Sequence, residues 1–329
     1  MKITFFSCKE YEQPRLEKYL SPQFEASFQL IPLRLESCEK AEGSKVVSVF
    51  SRDDASAPVL TQLANLGVEF IATRSTGFNH IDLEAARQKG IGVAHVPAYS
   101  PHAIAEHTIL LMLALSRKLI QANERIRVNN FSLKGLMGFN LGAKRIGVIG
   151  TGKIGKAIIE MLKGFGSEVI AYDIKPDHGF SKSLGFDYID MGMLLRSADI
   201  VTLHVPLNDQ THYLIDNAEL TQMKEGALLI NTSRGKLINT SEVLRALQSG
   251  HLSALGIDVY ENEHDLFFED HSTKKSSDPL FDQLNKMENV LITGHQAFLT
   301  ETALDNIAKS TIENIQNFSS GTKSDNFLI

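Results

Sequence analysis

"GVIGTGKIGKA", residues 147–157, places three glycines, Gly150, Gly152 and Gly155, between an apolar run and a helical pattern. The run "KRIGVIG" (144–150) reads as a strand, and the residues from Lys153 onward follow helical spacing. Alone, three spaced glycines are a weak signal, because glycines also serve ordinary turns. Between a strand and a helix each has a task. Gly150 permits a tight turn, Gly152 lets backbone approach a pyrophosphate, and Gly155 allows the helix to pack close on the strand. The amides of Lys153 and Ile154 open a helix that faces the anion. Asp173 ends the next strand, "EVIAYD" (168–173), where a carboxylate accepts hydrogen bonds from an adenosine ribose. A 2′-phosphate there would meet like charge, so NAD is expected rather than NADP, with Lys175 weakening that preference slightly.

Outward from this turn the alternation continues. "DIVTLHVP" (199–206), "GALLINTS" (226–233), "SALGIDV" (253–259) and "NVLITGH" (289–295) read as further strands with helices between most of them. That is the order of a doubly wound sheet. The first third has its own series, "KITFFS" (2–7), "VVSVFS" (46–51), "FIATRS" (70–75) and "GVAHVP" (92–97), with helical stretches near 11–20, 57–66 and 81–89. The expected class is therefore α/β with largely parallel sheets. Between the two series, "HAIAEHTILLMLALSRKLIQANERI" predicts one continuous helix of about seven turns. Its apolar length suggests burial between two masses or a subunit interface, hence a homodimer or homotetramer. The segment 260–288 is too long for an ordinary connection and is expected to be functional. A last amphipathic helix, roughly 300–318, has no strand left to serve.

Composition narrows the class. A length of 329 residues suggests two domains, and 43% apolar residues suffice for two cores. Net charge is −6 without a basic stripe, so nucleic acid is not an expected partner. Cys8 and Cys38 lack metal-ligand spacing and read as reduced thiols of a cytoplasmic protein. No His/Cys/carboxylate cluster has ligand spacing, so no metal is expected. No signal peptide is apparent, and no apolar stretch approaches the ~20 residues that cross a bilayer, so no membrane association is expected.

Ligands of a doubly wound sheet bind outside the carboxyl ends of its strands. "LINTSRGKLI" (229–238) leaves one such strand and reaches Arg234, a costly place for a guanidinium unless an anion meets it. The next strand ends in "DVYENE", and the last ends at His295. One cationic fork, several carboxylates and one imidazole thus reach the same edge as the glycine turn. Hydride transfer to a ketone develops negative charge on oxygen, and His is the side chain suited to donate a proton near neutrality. A carboxylate behind the imidazole would favour its charged form, and spacing leaves Glu261 and Glu263 as equal candidates. Arg234 can grip a carboxylate bidentately, so the expected substrate is a small 2-oxo acid.

With these residues in view, the chain resembles the D-isomer-specific 2-hydroxyacid dehydrogenases, most closely their D-lactate dehydrogenase branch. The resemblance rests on "RSTGFNHIDL" (74–83), "VPAYSPHAIAEH" (96–107), "GVIGTGKIGKA" (147–157), "LHVPL" (203–207), "INTSRG" (230–235), "GIDVYENEHDLFFED" (256–270) and "GHQAFLT" (294–300). It implies a Rossmann-type NAD-binding domain (100–299) inserted into a flavodoxin-like substrate domain (1–99 and 300–329), both doubly wound. It also implies reduction of pyruvate to D-lactate by NADH, the D stereochemistry included. By the resemblance Arg234 binds the substrate carboxylate, His295 donates the proton, and Glu263 rather than Glu261 is its partner. Thr76 and Gly77 offer amides to the substrate carboxylate, and Tyr99 lies on the substrate side. Val205 and Pro206 lie against the adenosine, and Thr232, Ser233, Arg234 and Asp258 lie beside the nicotinamide half. Phe50 stands where some relatives have a tyrosine, which removes a hydroxyl contact.

Other readings accompany these. Glu261 is taken as a solvated loop charge, and His102 and His107 as packing or interface residues on the long helix. A bulkier 2-oxo acid is the rival substrate. The rival class is a dinucleotide-sensing binding protein of the same fold, marked by loss of the Arg/Glu/His set or by added tails. This chain keeps the set and ends at "SDNFLI".

Overall fold

The computed structural model describes residues 1–273 and 278–329. The chain divides into two compact units, Met1–Ser100 with Leu299–Ile329, and Pro101–Phe298.

The first unit is built on five parallel strands: β1 (Lys2–Phe5), β2 (Glu25–Phe28), β3 (Val46–Val49), β4 (Phe70–Thr73) and β5 (Gly92–Ala94). Their order is β2-β1-β3-β4-β5, the doubly wound order of flavodoxin-like sheets. Successive side chains take opposite faces. Val46, Phe70 and Ala72 join Ile3 and Phe5 in one core, while Val47, Val49 and Ile71 enter the other. Burial on both faces is why these strands read as largely apolar runs, with only small hydroxyl residues such as Thr4 and Ser48 among them. β2 carries the exposed Glu25 and only half-buried neighbours at a sheet edge, so it leaves no such run to recognise. The final helix, Glu301–Ser320, covers the first face through Ala308, Ile312 and Ile315, and Phe318 stacks on Phe70 at 4.4 Å. It therefore serves strands from the opposite end of the chain.

The second unit has seven parallel strands: β6 (Arg145–Ile149), β7 (Glu168–Tyr172), β8 (Asp187–Tyr188), β9 (Ile200–Leu203), β10 (Ala227–Asn231), β11 (Leu252–Ile257) and β12 (Val290–Ile292). They lie in the order β12-β11-β10-β9-β6-β7-β8. The winding reverses between β6 and β9, which is where a doubly wound sheet opens a crevice for a ligand. Helices Pro101–Ser116 and Lys153–Gly164 cover one face, and Met191–Ser197, Asn217–Gln222 and Thr240–Gln248 cover the other. No helix among the described residues is long and apolar enough to cross a membrane.

The single long helix expected over 102–126 is two helices, Pro101–Ser116 and Leu119–Arg127. Lys118 between them takes a left-handed backbone, φ 49°, which costs a non-glycine residue about 1–2 kcal/mol. Tertiary contacts hold the break. The Phe139 amide donates to the Ser116 carbonyl, and Lys118 Nζ donates to the Gly135 carbonyl at 2.9 Å. Among its described residues the segment 260–288 contains the 3₁₀ turn Glu263–Asp265 and the helix Pro279–Asn285; its residues 274–277 lie outside the described ones.

Candidate active site

Three strand ends of the second unit carry the charged groups. After β10, the fully buried Asn231 shapes the turn from inside. Its Nδ2 donates to the Arg234 carbonyl at 2.8 Å, and its Oδ1 accepts from the Ser233 amide at 3.0 Å. A Cβ on Gly235 would lie 2.1 Å from the Tyr260 carbonyl carbon, so the turn lies flush on the backbone after β11. Arg234 is thereby pinned beside the segment that carries the carboxylates, and its Nη1 donates to the Ser233 carbonyl at 2.7 Å.

That segment and the end of β12 form a pair. Glu263 Oε2 accepts from the Tyr260 amide at 2.9 Å, and its Oε1 meets His295 Nδ1 at 2.8 Å. With Nδ1 donating to the carboxylate, Nε2 is the nitrogen left to face a reactant. The two side chains keep 19% and 24% exposure, His295 and Glu263 respectively, shielded yet reachable. Burial works against the imidazolium, but the Glu263 charge and hydrogen bond, with Asp258 behind them, hold it above the ordinary histidine value. Arg234 stands close enough for its charge to oppose them. Rings flank the imidazole, with Phe268 at 5.6 Å and Phe298 at 6.5 Å between centroids. Glu261 does not belong to the pair. It is half-buried rather than solvated and lies beside Tyr213, whose phenol is raised first by burial and then by that charge.

Asp258 is 1% exposed and fully engaged. Its Oδ1 accepts from Thr293 Oγ1 at 2.5 Å and from the Gln296 amide at 2.9 Å, and its Oδ2 accepts from the Ala297 amide at 2.9 Å. Burial opposes its charge, but these donors with His107 and His295 keep it below the ordinary aspartate value. Its carbonyl takes the His295 amide at 2.7 Å, and His295 itself has a left-handed φ of 53°. In this unit Asp258 is a brace for the turn that carries the histidine.

The glycine turn lies at the switch point. Gly150 has φ 92°, and a Cβ on it would meet the His204 carbonyl at 2.4 Å, so the ends of β6 and β9 touch there. A Cβ on Gly155 would lie 2.0 Å from the Gly150 carbonyl, whereas at Gly152 nothing stands within 4 Å. Open space at Gly152, before the amides of Lys153 and Ile154 at the start of a helix, fits a diphosphate. Asp173 is tied to the same turn. Its Oδ2 accepts from the Thr151 amide at 2.6 Å and hydroxyl at 2.9 Å, and its Oδ1 accepts from the Lys175 amide at 2.8 Å. Burial opposes its charge, and these bonds outweigh burial, so it is held below the usual carboxylate range. The carboxylate keeps lone-pair capacity for ribose hydroxyls. Across the switch, Val205 and Pro206 follow His204, whose ring burial holds at a pKa of about 3 and thus neutral. Ser233 Oγ donates to the Val205 carbonyl at 2.7 Å, and Thr232 is buried against Thr108. The residues present suit a dinucleotide.

In the first unit, the carbonyls of Ser75 and Thr76 accept from the Val96 amide at 3.1 Å and from His95 Nδ1 at 2.9 Å. In trans peptides the following amides, those of Thr76 and Gly77, each point away from the carbonyl they follow. The Tyr99 carbonyl is held by Asn306 Nδ2 at 2.7 Å. Phe50 is buried and faces the Arg74 guanidinium at 5.8 Å.

Two residues of the His295 surroundings escape sequence reasoning. His107, read as packing or interface, reaches Thr293 Oγ1 at 3.0 Å. Thr293 itself is two positions before His295, and no motif marks it. The only available signal is that His107 falls in a matched segment.

Residues 109–297 match the model of a family described as D-isomer specific 2-hydroxyacid dehydrogenase, NAD binding domain. Over the full length of both chains, the sequence is 43% identical to a D-lactate dehydrogenase of Escherichia coli (strain K12). A solved structure, the pyruvate reductase of Chlamydomonas reinhardtii, superposes with TM-score 0.92 at 41% identity, covering 99% of this chain and 98% of that one. The D-lactate dehydrogenase of Aquifex aeolicus, solved with NAD and lactic acid, superposes with TM-score 0.89 at 32% identity and the same coverage.

Proposed function

The chain belongs to the D-isomer specific 2-hydroxyacid dehydrogenase family, and on that premise we propose that it is an NAD-dependent D-lactate dehydrogenase reducing pyruvate. The observation that carries this reading is the Glu263–His295 pair with Arg234 close by, at the carboxyl edge of the sheet whose switch point holds the glycine turn. The activities named for the E. coli, C. reinhardtii and A. aeolicus relatives support it, and the D stereochemistry is taken from the names of the E. coli and A. aeolicus enzymes.

The assignments follow from the side chains. Arg234 pairs with the substrate carboxylate through its planar fork. His295, charged and turned by Glu263, gives its Nε2 proton to the ketone oxygen as negative charge develops there. Asp258 keeps the histidine's turn in place. The amides of Thr76 and Gly77 and the side chain of Tyr99 are assigned to the substrate as well. Bound NADH supplies the hydride. Gly150, Gly152 and Gly155, with the amides of Lys153 and Ile154, take its diphosphate. Asp173 takes a ribose, Val205 and Pro206 the adenosine, and Thr232 and Ser233 the nicotinamide half. The domain assignment is the matching one: Pro101–Phe298 for the cofactor and the other unit for the substrate.

We also infer a homodimer, or a tetramer built from it, joined through the apolar surface of the Leu119–Arg127 helix and the loop after it. Buried, unpaired Cys8 and Cys38 favour a reducing cytoplasmic setting. The deciding experiment is NADH oxidation over a panel of 2-oxo acids. Pyruvate should lead the panel; a branched or phenyl-substituted acid leading it would reassign the substrate, and no turnover with any would sink the reading.

A further inference from the structure

A second histidine is wired to the turn that carries His295. His107 lies on the Pro101–Ser116 helix with its side chain 10% exposed. Thr293 has one hydroxyl proton, and its 2.5 Å bond to the Asp258 carboxylate uses it. The 3.0 Å contact between His107 Nε2 and Thr293 Oγ1 must then be donated by the imidazole. The same nitrogen lies 3.5 Å from Asp258 Oδ1. Asp258 collects the Gln296 and Ala297 amides on its carboxylate and the His295 amide on its carbonyl. The turn 293–297 therefore hangs on one buried carboxylate, and among the described residues His107 is a side chain from outside the turn that reaches it. A left-handed backbone at a non-glycine residue such as His295 persists only where its surroundings over-determine it.

We propose that His107 is a positioning residue for proton transfer: through Thr293 and Asp258 it locks the 293–297 turn and so aims the His295 imidazole. The next helix residue braces the other strand end. Thr108 Oγ1 donates to the Ile104 carbonyl at 2.7 Å, so its 2.8 Å contact with Thr232 is donated by the Thr232 hydroxyl, two residues before Arg234. Consecutive helix positions thus reach the loops of His295 and of Arg234. The proposal rests on His295 being the proton donor.

A double-mutant cycle tests it. The variants are His107→Phe, which fills the space without a donor, Thr293→Val, and their combination. Pyruvate reduction is measured at saturating NADH, and NADH affinity is measured separately by fluorescence. Each single variant should lose about tenfold or more in kcat, the loss of one hydrogen bond to a charged centre, with NADH affinity within about twofold. The double variant should be no slower than the slower single, and His107→Gln, which restores an N–H, should recover most of the loss. Unchanged kcat in His107→Phe, losses that multiply in the double variant, or a Gln variant as slow as Phe would each overturn the proposal. Normal turnover in His295→Gln would instead defeat the reading beneath it.

Discussion

His295 Nδ1 and Glu263 Oε1 meet at 2.8 Å although 32 positions separate them and they lie in loops that follow different strands. The contact determines which ring nitrogen is free and which charge state is favoured. An imidazole with Nδ1–H held by a carboxylate presents Nε2 outward and keeps its proton to higher pH than an isolated histidine. Both consequences suit a proton donor in ketone reduction.

Glu263→Gln should shift the alkaline limit of pyruvate reduction. Glu263 raises the histidine's pKa, so removing its charge lets His295 lose its proton at lower pH. Because the reduction needs the protonated ring, the descending limb of the kcat/KM profile should move down in pH. An unmoved limb would mean that the carboxylate does not control the histidine.

The same pair links to stability. A histidine held above its ordinary pKa stabilises the fold fully below its unfolded value, near 6.5, and that contribution fades as pH rises through the higher folded value. The difference in Tm between the native chain and Glu263→Gln should be largest at acidic pH and shrink on the alkaline side. A difference that widens with pH would contradict the pairing.

Arg234→Lys should raise KM for pyruvate and lower kcat, together costing on the order of 10- to 100-fold in kcat/KM, because an ammonium cannot reproduce a bidentate fork. Gly235→Ala tests how the arginine is held. The added methyl would sit 2.1 Å from the Tyr260 backbone, which cannot swing aside as a side chain could. Thermal or urea unfolding should report a loss of about 3 kcal/mol or more, with the pyruvate KM raised as the arginine shifts. A Gly235→Ala protein of native stability would show that the turn is not seated on the segment after β11.

How much of this is legible in the sequence depends on the range of the forces involved. The glycine turn is legible because strand, turn and helix are contiguous and each glycine answers a local steric demand. Arg234 is legible because a strand buried along its whole length reads as an apolar run with a charge standing out after it, and His295 because it follows the short apolar edge strand Val290–Ile292. Choosing Glu263 over Glu261 takes the family resemblance, since both lie in the same short loop and only the tertiary path brings one to His295. The helix break at Lys118 leaves no local signal because contacts from Gly135 and Phe139 hold it. His107 is obscured for the same reason. Its helical position marks it as packing, and its partner Thr293 arrives from 186 positions away.

Asp173→Ala should weaken NADH binding and narrow the preference over NADPH. The carboxylate is held charged by the amides of Thr151 and Lys175, so it would repel a 2′-phosphate. Removing it takes the negative charge away while the charge of Lys156 stays nearby. The ratio of kcat/KM for the two cofactors should fall by about tenfold or more, the value of one charge-assisted contact. An unchanged ratio would place cofactor discrimination elsewhere.

The exposed apolar surface of the second unit predicts the assembly. Leu133 and Met137 are 82% and 89% exposed, and Phe131 is 68% exposed. Arg125 Nη1 reaches the Ser132 and Lys134 carbonyls and Lys118 Nζ reaches Gly135, so this loop is tied back to the helix and presents its apolar side chains from a fixed scaffold. Residues of that size are rarely left clustered in water, and a second copy offering the same patch would cover them by a two-fold contact. Phe131→Asp combined with Leu133→Asp places like charges across such a contact and should yield monomers in sedimentation velocity, while circular dichroism stays native. If the native chain already sediments as a monomer, or the charged variant remains dimeric, the copies do not meet on this surface.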